Sequence, residues 1–214
     1  MLLALVNQQT ARASLADLRA ALQELEADFN GVLNLLHNLL HWALAQQQAL
    51  ALRSQPTDLV RIVESVVALL EPMMQVKNIT YRQALPPEAA LMTDPNVVGF
   101  ILRNLLGNAV QYTPVGGTID LTIQQVGESY KVAVSNTGPG IDPALLTRLF
   151  QSQHLLVEAF PQAGKGTGLG LQLCKEFTAL LQGEIWAANQ AGRGVTFYLT
   201  IPLALPLTSL TTSG

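Results

Sequence analysis

A chain of 214 residues, 49% of them hydrophobic, can close one ordinary core and carry an accessory segment, which excludes a disordered protein. Its formal charge of -3 comes with Lys and Arg scattered along the sequence, so there is no basic field for a nucleic-acid backbone and nucleic acid is excluded as a partner. Cys174 is the only cysteine, which rules out a disulfide framework and a cysteine-ligated zinc site and predicts a buried, inert thiol in a reducing compartment.

The opening Met1-Leu-Leu-Ala-Leu-Val lacks a basic leader and a cleavage-like site, and no run of about 18 uninterrupted apolar residues occurs. The expectation is a soluble, cytoplasmic piece, with membrane attachment only through segments of a longer parent. Residues 1–9 read as a short helical remnant and 10–13 as a turn. Ser14, with Asp17 three residues on, makes a weaker form of the Ser-x-x-Glu capping pair. Leu15, Leu18, Leu22, Leu25, Phe29, Val32, Leu36 and Leu39 then alternate spacings of three and four, the heptad seam of a helix in a bundle or coiled coil. An isolated helix cannot bury that seam. Residues 1–9 are too few to cover it, so a homodimeric four-helix bundle is favoured over an intrachain hairpin.

Residues 54–57, Ser-Gln-Pro-Thr, break the pattern and read as a linker between domains at 1–53 and 58–202. Beyond the linker the periodicity predicts a helix over 58–76, a strand over 79–84, a turn at Pro86-Pro87 and a second helix over 94–112. Gly116-Gly117 opens a hairpin of strands over 118–126 and 130–135, turning at Gly127-Glu128. A short helix over 142–150, a polar stretch over 151–164 that suits a mobile lid, a third long helix over 169–181, and strands over 184–188 and 195–201 follow. Residues 192–194 read as a strand-connecting turn, and residues 203–214, rich in Thr and Ser, as a disordered tail. Strand runs beside helices with hairpin links predict an α+β sandwich with helices on one face.

Chemistry concentrates in a few places. The stretch Gly164-Lys-Gly-Thr-Gly-Leu-Gly-Leu sets alternating glycines at the start of the third helix. Backbone N–H groups exposed at a positively polarised helix end favour an anion, most naturally a phosphate chain, although the same glycines taken alone also read as a hinge. Asn104, Asn108 and Gln111 fall at spacings of four and three on one face of the second helix. Carboxamides on an otherwise apolar helix imply a polar ligand or a solvated stripe. His37 and His41, at i and i+4, read as ordinary helix surface before a metal site.

With Asn104-Leu-Leu-Gly-Asn108-Ala-Val-Gln111-Tyr112-Thr113, Asn136-Thr-Gly138-Pro-Gly140-Ile, Phe150 and the glycine loop in that order, residues 57–202 resemble the catalytic and ATP-binding domain of sensor histidine kinases. The wider family includes gyrase, Hsp90 and MutL ATPases. The resemblance implies a Bergerat-type α/β sandwich, a mixed sheet with helices on one face, preceded by the long heptad helix of a dimerisation hairpin. His37-Asn-Leu-Leu-His41-Trp42-Ala is similar to the second helix of that hairpin.

By resemblance the cofactors are ATP and Mg2+. Asn108 would supply the oxygen that holds the ion, with Asn104 assisting, and Tyr112 would flank the nucleotide. Gly138 and Gly140 would be turn glycines that let backbone approach the base, with Pro139 stiffening the turn. Phe150 would anchor the lid, although the second Phe of the family is absent and Gln153 stands near its place. Gly164, Gly166, Gly168 and Gly170 would cradle phosphates, Thr167 would offer a hydroxyl, and Leu169 and Leu171 would pack the helix beneath. Family members usually carry Lys where this chain has Gln111, and the uncharged amide would weaken a phosphate contact by about 1 kcal/mol or more unless Lys165 or Arg103 compensates. They usually carry Asp where this chain has Asn136, whose amide could flip to meet guanine, so adenine preference should survive in weaker form.

No His-Glu/Asp-Leu-Arg-x-Pro phosphoacceptor string is present, and His154 belongs to the lid stretch. The resemblance thus implies a chain that binds MgATP without phosphorylating itself. Its parent would pass the γ-phosphoryl to its own histidine and then to an aspartate of a response regulator receiver domain. The competing readings are a pseudokinase or nucleotide-binding dimerisation module, another ATPase of the superfamily, and a coiled-coil protein without ligand.

Overall fold

The computed structural model describes residues 52–146, 149–150, 169–190 and 194–204. The heptad helix with His37 and His41, the lid stretch with Gln153 and His154, residues 164–168 of the glycine loop, residues 191–193 and residues 205–214 lie outside the described residues. Leu169 is described in its backbone only.

Strand β1 (Gln55–Asp58) runs into helix α1 (Leu59–Val76). Asp58 is the cap between them. Its carboxylate accepts from the N–H groups of Val60 at 3.0 Å and Ala89 at 3.1 Å, so one side chain starts the helix and ties it to a distant loop. Leu59, Val60, Val63, Val66, Leu70 and Met74 turn inward at the spacing a helix requires. The helix stops where Asn78 takes a φ of 50°, a left-handed conformation that Asn tolerates better than most residues.

Strands β2 (Thr80–Ala84) and β3 (Ala90–Thr93) precede helix α2 (Pro95–Tyr112). Asp94 accepts from Asn96 N–H at 2.9 Å and, through its other oxygen, from Arg53 N–H at 2.9 Å. Pro95 at the first helical position loses nothing, because that N–H has no partner inside a helix. Since Asp94 is buried and serves two donors, Asp94→Ala is expected to lower stability by about 2 kcal/mol. Urea denaturation with an unchanged m-value checks it.

Strands β4 (Thr118–Val126) and β5 (Ser129–Asn136) form the expected hairpin, with Gly127 at φ 58° in its turn. Helices α3 (Pro143–Leu146) and α4 (Leu169–Leu180) and strands β6 (Glu184–Gln190) and β7 (Gly194–Pro202) follow among the described residues. The main sheet has the order β2-β4-β5-β7-β6. Its β2–β4 pair is parallel and the other pairs antiparallel, the mixed sheet the resemblance implies.

Along β5, Tyr130, Val132, Val134 and Asn136 are buried in alternation and face the layer built by α2 and α4. Phe100 of α2 meets Phe177 of α4 edge-on, with ring centroids 5.0 Å apart. On the opposite side of the sheet Trp186 stacks on Tyr198 at 5.1 Å, and Lys131 Nζ sits 4.6 Å from the Tyr198 ring centroid.

Some expected boundaries move. The segment read as a linker at 54–57 contributes β1, which pairs antiparallel with β3, a strand the periodicity did not reveal. Pro56 reads as a breaker but is tolerated in a two-stranded ribbon, where one side of each strand needs no partner. Of the short helix expected over 142–150, the described residues include Pro143–Leu146, capped by Asp142, which accepts from Ala144 N–H at 2.8 Å, while residues 147 and 148 lie outside the described residues. Residues 203 and 204, placed in the expected tail, are bonded into the fold: Met92 N–H donates to Leu203 O at 2.8 Å, and Leu203 N–H donates to Glu128 O at 2.9 Å.

Candidate functional site

Helix α2 is the spine of the site. Its inner face, including Val98, Ile101, Leu102, Leu105, Leu106 and Ala109, is buried in the core. Asn104 and Asn108 are half-buried and Gln111 is exposed, as their shared face requires.

Asn104 is occupied structurally. Its Nδ2 donates to Phe100 O at 3.0 Å, which turns its oxygen toward the first turn of α4. A Cβ added at Gly170 would collide with that oxygen, so Gly170 is the residue that lets the start of α4 seat against Asn104. The N-terminal end of α4, where the helix dipole favours anions, therefore lies beside α2. The side chain of Asn108, one turn further along α2, makes no hydrogen bond among the described residues.

The far end of α2 meets the segment after β5. A Cβ at Gly138 would collide with the carbonyl oxygen of Tyr112 and stand 2.5 Å from the side-chain amide of Asn136. Burial raises the pKa of the Tyr112 hydroxyl, which keeps it neutral and able to donate. Neither Gly138 nor Gly140 has a positive φ. Close packing requires both of them to be small: besides the contacts at Gly138, a Cβ at Gly140 would sit 3.3 Å from Asn189 Oδ1. Gly194 does take a φ of 89°, and a Cβ there would strike the Asn136 carbonyl.

Asn136 is 3% exposed. With its amide oriented to satisfy both ends, Oδ1 accepts from Gly138 N–H at 3.0 Å and Nδ2 donates to Val195 O at 3.3 Å. The free flip expected from sequence is thereby corrected: turning the amide would break two bonds and set like against like.

Leu171, in the first described turn of α4, is buried as expected, and Phe150 is half-buried against the core. Cys174 is fully buried, and burial pushes its thiol pKa far up, so it is inert as predicted. Arg103 is exposed on α2. Lys165, Gly166, Thr167 and Gly168 lie outside the described residues.

Two site-building residues escaped sequence reasoning. Asn189 at the end of β6 clasps Ile141 on both sides, accepting from its N–H at 2.9 Å and donating to its O at 2.5 Å, which fixes the segment after Gly138 and Gly140. Lys77 donates to carbonyls at the end of α2. No local pattern marks either residue, because their partners lie 33 to 48 positions away.

Among the described residues no cluster of three His, Cys, Asp or Glu side chains could hold a metal unaided. No described helix is long and apolar enough to cross a membrane.

The profile of the family described as histidine kinase-, DNA gyrase B-, and HSP90-like ATPase matches residues 93–205. The adaptive-response sensory kinase SasA of Synechococcus sp. (strain JA-3-3Ab) is 31% identical over 172 residues, which cover 79% of this chain and 45% of SasA. The chain thus spans less than half the length of that relative. The catalytic domain of histidine kinase ThkA superposes with a TM-score of 0.64 at 27% identity, covering 71% of this chain and 97% of that domain. ThkA has also been solved in complex with the response regulator protein TrrA. Full-length ShkA in complex with AMPPNP gives a TM-score of 0.71 at 27% identity, covering 90% of this chain and 40% of ShkA.

Proposed function

This chain belongs to the family of histidine kinase-, DNA gyrase B- and HSP90-like ATPases, and we propose that it is the ATP-binding kinase core of a two-component sensor. The observation that carries the reading is the way α2 joins two halves of one site. Asn104 seats the N-terminal end of α4, and Tyr112 meets Gly138 beside Asn136. Phosphates would lie at the α4 end and the base at the Asn136 end, with Asn108 between them.

Mg2+ fits the residues present. The Asn108 carboxamide is half-buried and has no hydrogen bond among the described residues, and an amide oxygen is the hard, neutral ligand that leaves room for phosphate oxygens and water. Bound there, the ion would neutralise phosphate charge. The protein's own part is to bind, orient and desolvate: backbone N–H groups at the start of α4 face the phosphates, and the buried edge by Asn136 and Gly138 receives the base. Lys165, Gly166, Thr167 and Gly168 would close over the phosphates, Gly140 would shape the base edge, and Phe150 would anchor the lid.

In the same reading the γ-phosphoryl passes to a histidine outside these 214 residues and then to a response regulator, the class of partner with which ThkA has been solved. AMPPNP, the nucleotide in the ShkA complex, is a close analogue of the proposed substrate. The seam from Leu15 to Leu39 would pair two copies of the chain, in the cytoplasm, with any membrane attachment through parent segments. The divergent Gln111 and Asn136 favour a pseudokinase as the second reading. Mixing the chain with a protein bearing the acceptor hairpin and γ-labelled ATP separates the two: label on the acceptor histidine supports the kinase, and nucleotide binding without transfer supports the pseudokinase.

Base selection gives a further expected result. Because the Asn136 amide is pinned, ADP should bind at least about tenfold more tightly than GDP, the value of the two hydrogen bonds that guanine would have to break. Asn136→Asp should sharpen that preference but set a carboxylate oxygen against Val195 O, lowering stability by about 1–3 kcal/mol. Calorimetry with ADP and GDP, paired with thermal melting, reads both effects. Equal affinities of the wild type for the two nucleotides would refute the pinned amide.

A further inference from the structure

Helix α2 ends with carbonyl groups that have no partner within the helix, and its own last turn carries no basic residue. The missing cation comes from elsewhere. Lys77, the C-cap residue of α1, sends its Nζ to Val110 O at 2.8 Å, Gln111 O at 2.8 Å and Thr113 O at 2.9 Å. Only a protonated amine has three N–H donors for three acceptors. Partial burial draws its pKa below the ordinary lysine value, and the three carbonyls oppose that by stabilising the ammonium.

The same residue fixes the turn that follows. Lys77 O accepts from Gly116 N–H at 2.9 Å, and Thr80 N–H donates to Gly117 O at 2.9 Å. Tyr112 O, the carbonyl that Lys77 leaves, faces Gly138 with no space for a methyl group between them. The last turn of α2 is therefore held between the ammonium on one side and the Asn136–Gly138 segment on the other. Asn108 sits one turn back on the same rigid element.

We propose that Lys77 is a positioning residue of the nucleotide site, which sets the distance between Asn108 and Asn136 by clamping the end of α2 without touching the nucleotide. The proposal rests on the nucleotide-binding reading given above. Without the clamp the last turn would fray, and Gln111 and Tyr112 would lose their fixed relation to Gly138.

The test uses Lys77→Cys and Lys77→Met, with MgADP affinity measured by calorimetry and folding by thermal melting. Lys77→Cys is measured before and after alkylation with 2-bromoethylamine, which restores an amine at nearly the same reach. Fully buried Cys174 is shielded from the reagent in the folded protein, and mass spectrometry verifies a single adduct. Both variants should unfold cooperatively and bind MgADP about tenfold more weakly, as expected for losing charge-assisted bonds at one remove from the ligand. The aminoethylated protein should return close to the wild-type affinity. Unchanged affinity in folded variants, a loss that the restored amine does not reverse, or failure of every variant to fold would each overturn the proposal. Failure of the wild type itself to bind MgADP would instead overturn the functional reading on which it rests.

Discussion

Replacing Asn108 with alanine is expected to abolish magnesium-nucleotide binding while leaving the fold intact. The two halves of that expectation come from one observation. The carboxamide is half-buried on α2 but serves no hydrogen bond among the described residues, so its removal leaves no orphaned partner among them. Stability should stay within about 0.5 kcal/mol of wild type. In the proposed role Asn108 would have no acidic or histidine cluster among the described residues to take its place on the ion. Affinity for MgADP should fall by about a hundredfold or more, the range for removing a direct ligand from a site with few protein donors. Calorimetry read beside a melting curve decides it: full affinity in the variant refutes the ligand role, and a large drop in melting temperature assigns Asn108 to the fold.

The second large effect belongs to Gly138. An added methyl would strike the Tyr112 carbonyl and lie 2.5 Å from the Asn136 amide and 3.1 Å from the Tyr112 carbonyl carbon. Neither neighbour can yield cheaply. The Tyr112 carbonyl belongs to a helical turn flanked by three bonds from Lys77, and the Asn136 amide is pinned by Gly138 N–H and Val195 O. Gly138→Ala should therefore destabilise the protein by about 2–4 kcal/mol and remove nucleotide binding with it. Gly127→Ala is the matched control. Its φ of 58° makes the substitution strained, but a Cβ there meets nothing within 4 Å. About 1 kcal/mol of stability should be lost and nucleotide affinity kept. Equal behaviour of the two alanine variants in a nucleotide titration would contradict the claim that Gly138 shapes the site.

The parts of the fold that could be read from sequence are those whose signals are local and repeated. Helix α1 and helix α2 declared themselves through their apolar spacing, and the β4–β5 hairpin through its two strand runs around the turn at Gly127. Asn136 continues the inward series Tyr130, Val132 and Val134, so its burial follows from the same period of two. Four-residue strands such as β1 and β3 carry too few repeats to show a period, and Pro56 argued against one of them.

Of the candidate site, the spacing of Asn104 and Asn108 was legible because both lie on one helix. What Asn104 does was not. Its contact with Gly170 joins two helices far apart in sequence, and the reason for glycine at Gly138 is a carbonyl on another element. Lys77 and Asn189 were invisible for the same cause: a side chain that braces distant backbone has no neighbour in sequence to betray it.

The central claim is that the start of α4, the face of α2 and the buried edge by Asn136 make one nucleotide pocket. Backbone amide shifts of the wild-type chain, followed by NMR through a titration with MgADP, test it most directly. The account predicts saturable shifts shared by Asn108, Tyr112, Asn136, Gly138 and Gly170, with one common affinity that is lost when magnesium is chelated. Absent shifts at millimolar nucleotide, or shifts confined to a surface such as α1 that leave these five residues unmoved, would contradict it.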